Sequence, residues 1–201
     1  GQPCIGFAPY NPQASNTAGC FSDRFLVGDK ADAGTAPQYS HNKTWGTQGT
    51  IDWDLGPVKL KSITAYRKID GDYARDGDHS PITILHLQDT LKQSQFSQEL
   101  QLLGNGLDDT LKYVVGLYYF NEKGNNINNL DFTPVTFRSG GRFQTKSYAA
   151  FAQATWTFVP SFDLTLGLRY TDDRKSFLPD QEILVDKTGG ALIAGSPNTP
   201  K

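Results

Sequence analysis

Three histidines, two Asp-Gly-Asp triplets, two cysteines and a few charges inside strand-like runs are the residues of this sequence that could do chemistry. His41, His79 and His86 could ligate a metal or haem. No ligand spacing recurs among them, so scattered solvated imidazoles are the better reading. Asp70-Gly71-Asp72 and Asp76-Gly77-Asp78 resemble fragments of a calcium loop. They lack its ordered acidic ligands and closing Glu, which favours plain turns. Cys4 and Cys20 lie close together in a polar Gly/Pro/Asn-rich stretch. In an oxidising compartment they would close a small loop as a disulfide; two free surface thiols are the alternative. No Ser/His/Asp, Cys/His or phosphate-loop constellation is present, so the sequence predicts neither an enzyme nor a cofactor site. A net charge of −2 over 201 residues, with a pI near 5.9, gives no reason to expect a nucleic-acid partner.

The elements that carry these residues read as strands. Aromatics make up 12% of the chain, glycine 20 residues, and methionine is absent, a composition that suits strands and tight turns. Six strand-like runs are predicted near 43–54, 57–70, 94–104, 110–122, 146–158 and 162–175. The last is the clearest. Phe162, Leu164, Leu166, Leu168 and Tyr170 alternate with Asp163, Thr165, Gly167, Arg169 and Thr171, the period of two of a strand with one apolar face. Tyr148, Ala150, Ala152, Ala154, Trp156 and Phe158 repeat the pattern, and Gln98 interrupts it in the run 94–104. Three connections are short, at Asp54–Pro57, Gly104–Asp109 and Val159–Asp163. Gly1–Asn42, Gly71–Gln93, Asn121–Lys146 and Asp172–Lys201 read as long, polar and irregular.

A mean hydropathy of −0.47 excludes a helical membrane protein but not a barrel, which needs apolar residues only at alternate positions. The longest compact apolar run is Val114–Phe120, interrupted by Gly116. The runs are longer than the ~5–6 residues of a typical soluble strand and fit the ~9–11 that span a bilayer. Aromatics collect near their ends: Trp45, Trp53, Tyr66, Tyr119, Tyr148, Trp156, Phe158, Phe162 and Tyr170. That distribution predicts two interfacial girdles. Glu99 and Arg169 fall on the polar faces of their strands and are candidates for the lumen side, paired across the wall or against an interior domain. Short turns on one side and long segments on the other place the turns in the periplasm and the long segments outside the cell. The expected layout is an extracellular loop over residues 1–42, three hairpins of a partial barrel over 43–176, and the start of another extracellular loop over 177–201.

Gly1–Tyr10 lacks the basic and apolar regions of a signal peptide, so either a signal has been removed or the chain is a fragment. Six strands are too few to close a membrane barrel, whose range begins at about eight. The fold class is therefore all-β, an antiparallel up-and-down meander of about six long strands forming an incomplete segment of a large transmembrane barrel.

Phe96-Ser97-Gln98-Glu99-Leu100-Gln101-Leu102 followed by Leu111–Phe120 resembles a barrel hairpin of TonB-dependent receptors. So does Ser147–Trp156 followed by Leu164–Asp173, and Ser62-Ile63-Thr64-Ala65-Tyr66-Arg67 is similar to the start of another. The resemblance spans roughly residues 43–176. It implies energised uptake of a scarce nutrient, such as a ferric siderophore, cobalamin or a glycan, across the outer membrane of a Gram-negative bacterium. It also implies a plug domain, the remaining barrel strands and outer-membrane lipid as partners, with an inner-membrane energy-coupling complex acting through an N-terminal box. Neither plug nor box is in this sequence. A passive porin-type barrel and a secreted β-sandwich binding module are the competing readings.

Overall fold

The protein is described by a computed structural model covering residues 28–29, 33–81, 84–132 and 135–186. One antiparallel sheet holds β1 (Tyr39–Asp54), β2 (Val58–Asp76), β3 (Leu85–Gly106), β4 (Leu111–Phe132), β5 (Val135–Val159) and β6 (Phe162–Pro179) in sequential order. A short β7 (Glu182–Asp186) carries on from β6 along the far end of β5. Among the described residues β1 pairs only with β2 and β6 only with β5, so the sheet does not close on itself.

All six expected strands are present, with β1 and β6 on the edges. The turns joining β1 to β2, β3 to β4 and β5 to β6 are tight because local polar groups hold them. The Asp54 carboxylate accepts from Gly56 N at 2.9 Å, and Leu55 N donates to Val58 O at 3.0 Å. Thr110 N donates to Leu107 O at 3.2 Å. Ser161 closes the third turn in the left-handed region, at φ 72°.

The long irregular segments expected at 71–93, 121–146 and 172–201 are corrected by the structure. Most of their described length is strand. β2 runs on to Asp76, β3 starts at Leu85, and β4 and β5 stay in register up to the Phe132–Val135 pair. β1 begins at Tyr39 and β6 ends at Pro179. Asp70-Gly71-Asp72 is therefore not a turn: it lies inside β2, paired with β1 and β3. Beyond the apolar region apolar residues such as Leu87, Leu91, Ile127, Leu130 and Phe143 fall on both faces among polar ones, so alternation vanishes while the backbone ladder continues.

The β2–β3 connection is held by two carboxylates. Asp76, with its side chain fully buried, accepts from the backbone amides of Thr35 (2.9 Å), Ala36 (3.1 Å), Asp78 (3.1 Å) and His79 (2.8 Å). Asp78 accepts from the amides of Ser80, Ile84 and Leu85 and from the Ser80 hydroxyl. Burial raises the Asp76 pKa, but the amide donors of Ala36, His79, Asp78 and Thr35 outweigh it and hold the carboxyl below its ordinary value.

A folded-state pKa below the unfolded one gives stability that is complete above the unfolded value, ~3.9 for Asp, and is lost as pH falls through the folded value. Amide protection factors at Thr35, Ala36 and His79 should therefore stay flat from neutral pH to about 4 and drop below it. Asp76→Ala should remove that protection at every pH, at a cost of about 1–3 kcal/mol for amides left unsatisfied. Unchanged protection in the variant would show that the carboxylate does not hold this connection.

Candidate functional site

Residues opposed in an antiparallel ladder project to the same side of the sheet. The register therefore assembles one apolar face from all six strands. One row reads Trp53, Leu60, Leu102, Val115, Ala152, Leu168; the next reads Ile51, Ser62, Leu100, Leu117, Ala150, Tyr170. The large side chains on it are open to the surroundings: Leu168 is 79% exposed, Ile51 69% and Leu166 67%. A contiguous apolar surface of this kind marks an interaction face. Gln98, which interrupts the face in sequence, is accommodated by its neighbours. Its Oε1 accepts from Thr64 Oγ1 at 2.6 Å and its Nε2 donates to Ser62 Oγ at 2.9 Å.

Every aromatic singled out in the sequence stands on this face, and together they form two rows. Trp45 meets Tyr66 (centroids 5.3 Å apart), Phe96 meets Tyr119 (6.2 Å), and Tyr119 meets Tyr148 (5.2 Å), with Tyr170 completing the row on β6. The other row has Trp53 at the β1 end, then Trp156, Phe158 and Phe162, with centroid steps of 5.8 and 6.3 Å. Neither row follows the hydrogen-bond ladder. The ladder row of Trp45 ends on β6 at Ser176, six residues from Tyr170. That of Trp53 ends at Leu168, again six residues from Phe162. At ~3.3 Å per residue and ~4.8 Å per strand, this offset tilts the strands by about 40° from the normal to the aromatic rows. Membrane barrels have tilts of ~35–45°. The rows lie eight residues apart on β1 (Trp45 to Trp53) and on β6 (Tyr170 to Phe162), which at that tilt is a band about 20 Å tall.

The opposite face is mixed, with charged and hydroxyl side chains set among Ile63, Val114, Tyr118, Phe120 and Phe151. Asp52 and Lys61 pair at 3.6 Å, and the hydroxyls of Thr155 and Thr165 meet at 3.0 Å. Glu99 and Arg169 both lie here, but they do not meet. Glu99 accepts from the Gln101 amide, whereas the Arg169 guanidinium stands over the Tyr118 ring (5.5 Å) and the Phe151 ring (5.8 Å). The Phe151 ring in turn covers Gly116, where a Cβ would fall 2.2 Å from the ring. Phe151 and Tyr118 interrupt the polar face of their own strands in the sequence, and the register shows that they do so to pack with Arg169.

Of the histidines, His41 stacks on Tyr39 within β1 and His79 lies in the β2–β3 connection. His86 brings Nε2 to 3.5 Å from an Asp76 carboxylate oxygen. Asp76, Asp78 and His86 thus place ligand-type atoms within 4.8 Å of one another, a proximity the sequence spacing did not display. Both carboxylates also accept the amide hydrogens that tie the connection. Cys4 and Cys20 lie outside the described residues.

The TonB dependent receptor-like, beta-barrel family matches residues 5–196. No curated protein matches the chain. Among solved structures the chain is similar to the ferric yersiniabactin uptake receptor FyuA from Yersinia pestis, with 20% identity and a TM-score of 0.66 over 77% of this chain and 24% of that one. The chain thus spans about a quarter of that receptor's length, and at this identity the likeness concerns the fold. Periodicity, an unclosed sheet of long antiparallel strands and the family match agree: the chain belongs to the TonB-dependent receptor-like β-barrel family, a family of transport receptors and not of enzymes.

Proposed function

We propose that this chain is part of the barrel wall of an outer-membrane receptor for energised, TonB-coupled uptake of a scarce nutrient in a Gram-negative bacterium. The observation that carries the reading is the apolar face bounded by two aromatic rows, because a band about 20 Å tall with strands tilted about 40° suits the ~25 Å apolar belt of an outer-membrane barrel. In this reading Trp45, Tyr119, Tyr148 and Tyr170 sit at one interface, and Trp53, Trp156, Phe158 and Phe162 at the other. Glu99 and Arg169 face the lumen, where a plug domain would pack. The tight turns face the periplasm, and the polar ends of the strands, with the segments before residue 43 and after 176, project outside the cell.

Within hydrocarbon an unpaired strand edge costs several kcal/mol per unsatisfied group. The edges of β1 and β6 therefore call for further strands, and the sheet suits a barrel of the large, plugged kind. The nutrient class is proposed on family grounds, with a ferric siderophore first, since the similar solved receptor takes up a ferric siderophore-type ligand, ferric yersiniabactin.

Two outcomes test the reading. Leu166 lies midway between the aromatic rows on β6, with Thr165 beside it on the polar face. Leu166→Arg should destabilise the bilayer-inserted receptor by about 2–4 kcal/mol in a denaturant titration, whereas Thr165→Arg should cost well under half of that. Equal effects would contradict a lipid-facing Leu166. In whole cells, nutrient accumulation through the receptor should disappear when the inner-membrane proton gradient is dissipated. Accumulation that persists would identify a passive pore instead.

A further inference from the structure

We propose that Asp76, Asp78 and His86 form a binding site for a first-row divalent metal ion such as zinc, at the far end of β2 and β3. Asp76 and His86 face each other across the β2–β3 ladder. Each stands ten residues beyond the aromatic of its own strand, Tyr66 and Phe96. The site therefore lies well outside the aromatic rows and does not depend on the membrane reading.

The His86 imidazole carries the argument. Its Nε2 is shielded from solvent and has no hydrogen-bond partner among the described residues. It stands 3.5 Å from an Asp76 carboxylate oxygen. That is beyond the ~2.7–3.2 Å of an N–H···O bond, so the two atoms approach each other without one. It is instead the spacing of two ligands on a shared ion. Bonds of ~2.0–2.2 Å meeting at a tetrahedral angle set their ligand atoms about 3.4 Å apart. The Asp78 carboxylate joins them within a 4.8 Å span, so a movement of about 1 Å brings all three onto one ion.

Charge points the same way. The Asp76 side chain is fully buried, and a buried charge calls for an opposite charge or a metal. No lysine or arginine pairs with Asp76 or Asp78 among the described residues. Across β3 the ladder sets Asp131 on the same side as His86, which adds a third carboxylate to the neighbourhood. The amides of Thr35, Ala36, Asp78 and His79 orient Asp76, and those of Ser80, Ile84 and Leu85 orient Asp78. These bonds keep the carboxylates ionised and fixed in direction, the part that outer hydrogen bonds play around a metal. The ligand types select the ion. One imidazole nitrogen with two carboxylates suits zinc or a neighbouring first-row divalent ion, whereas calcium takes six to eight oxygens. Because Asp76 also holds the amides of Thr35 and Ala36, the ion ties the segment before β1 to the β2–β3 connection.

The test uses the complete receptor that contains this sheet, purified in a non-ionic detergent, stripped with a chelator and dialysed. Calorimetric titration with zinc sulfate should show a saturable site that His86→Ala and Asp78→Asn each weaken at least ~tenfold. Calcium chloride at the same concentration should not displace the zinc. Hydrogen exchange at Thr35, Ala36, Ile84 and Leu85, the amides held by the two carboxylates, should slow when zinc is added to the unaltered receptor. In His86→Ala zinc should leave those rates unchanged. Equal zinc affinity in the unaltered receptor and His86→Ala would overturn the proposal, and so would displacement of zinc by equimolar calcium. Exchange rates at all four amides that saturating zinc does not move in the unaltered receptor would overturn it too, even if no variant folds.

Discussion

Backbone hydrogen bonding is the constraint from which the rest of this molecule follows. A peptide group in hydrocarbon has no water to turn to, so each must find a partner within the sheet. Here the ladder runs without a break from Tyr39↔Ala74 through to Trp156↔Leu164, and among the described residues its register shifts near Thr157 and Val159 and, where β7 joins β5, between Thr136 and Phe137. Side chains are then free to vary wherever the surroundings allow. This is why the same ladder can carry an apolar face in its lower half and polar residues on both sides, such as Asn125, Asn126, Asn128 and Asn129, in its upper half.

A second consequence is geometric. Once the register is fixed, strand tilt decides which residues share a level in the bilayer. The two aromatic rows depart from the ladder by the same six residues across five pairings, so one tilt accounts for both.

The fold was legible where one face meets an apolar medium and the other does not. Phe162–Thr171 alternates cleanly, and β6 lies where that alternation placed it. The upper strand extensions were not legible, because with water on both faces Asn121–Asp131 carries no period. The aromatic rows could be anticipated as a tendency of strand ends, yet their slant required the register. Asp76 closes β2, and Gly77 and Asp78 begin the connection that follows. The tie of Asp76 to Thr35 and Ala36 is a long-range contact that no local spacing encodes. Glu99 and Arg169 share the polar face as expected, but packing of Arg169 over Tyr118 and Phe151 replaces any pairing between them.

The central claim is that the aromatic rows, and not the hydrogen-bond ladder, mark constant depth in the membrane. It is tested most directly by measuring the bilayer depth of spin labels placed singly at Trp45, Tyr170 and Ser176 in the complete receptor, using lipid-soluble oxygen and a water-soluble nickel chelate as paired relaxants. The account predicts equal depths for the Trp45 and Tyr170 sites, with Ser176 about 15 Å further toward the aqueous side. Equal depths at Trp45 and Ser176, with Tyr170 buried well below both, would contradict it.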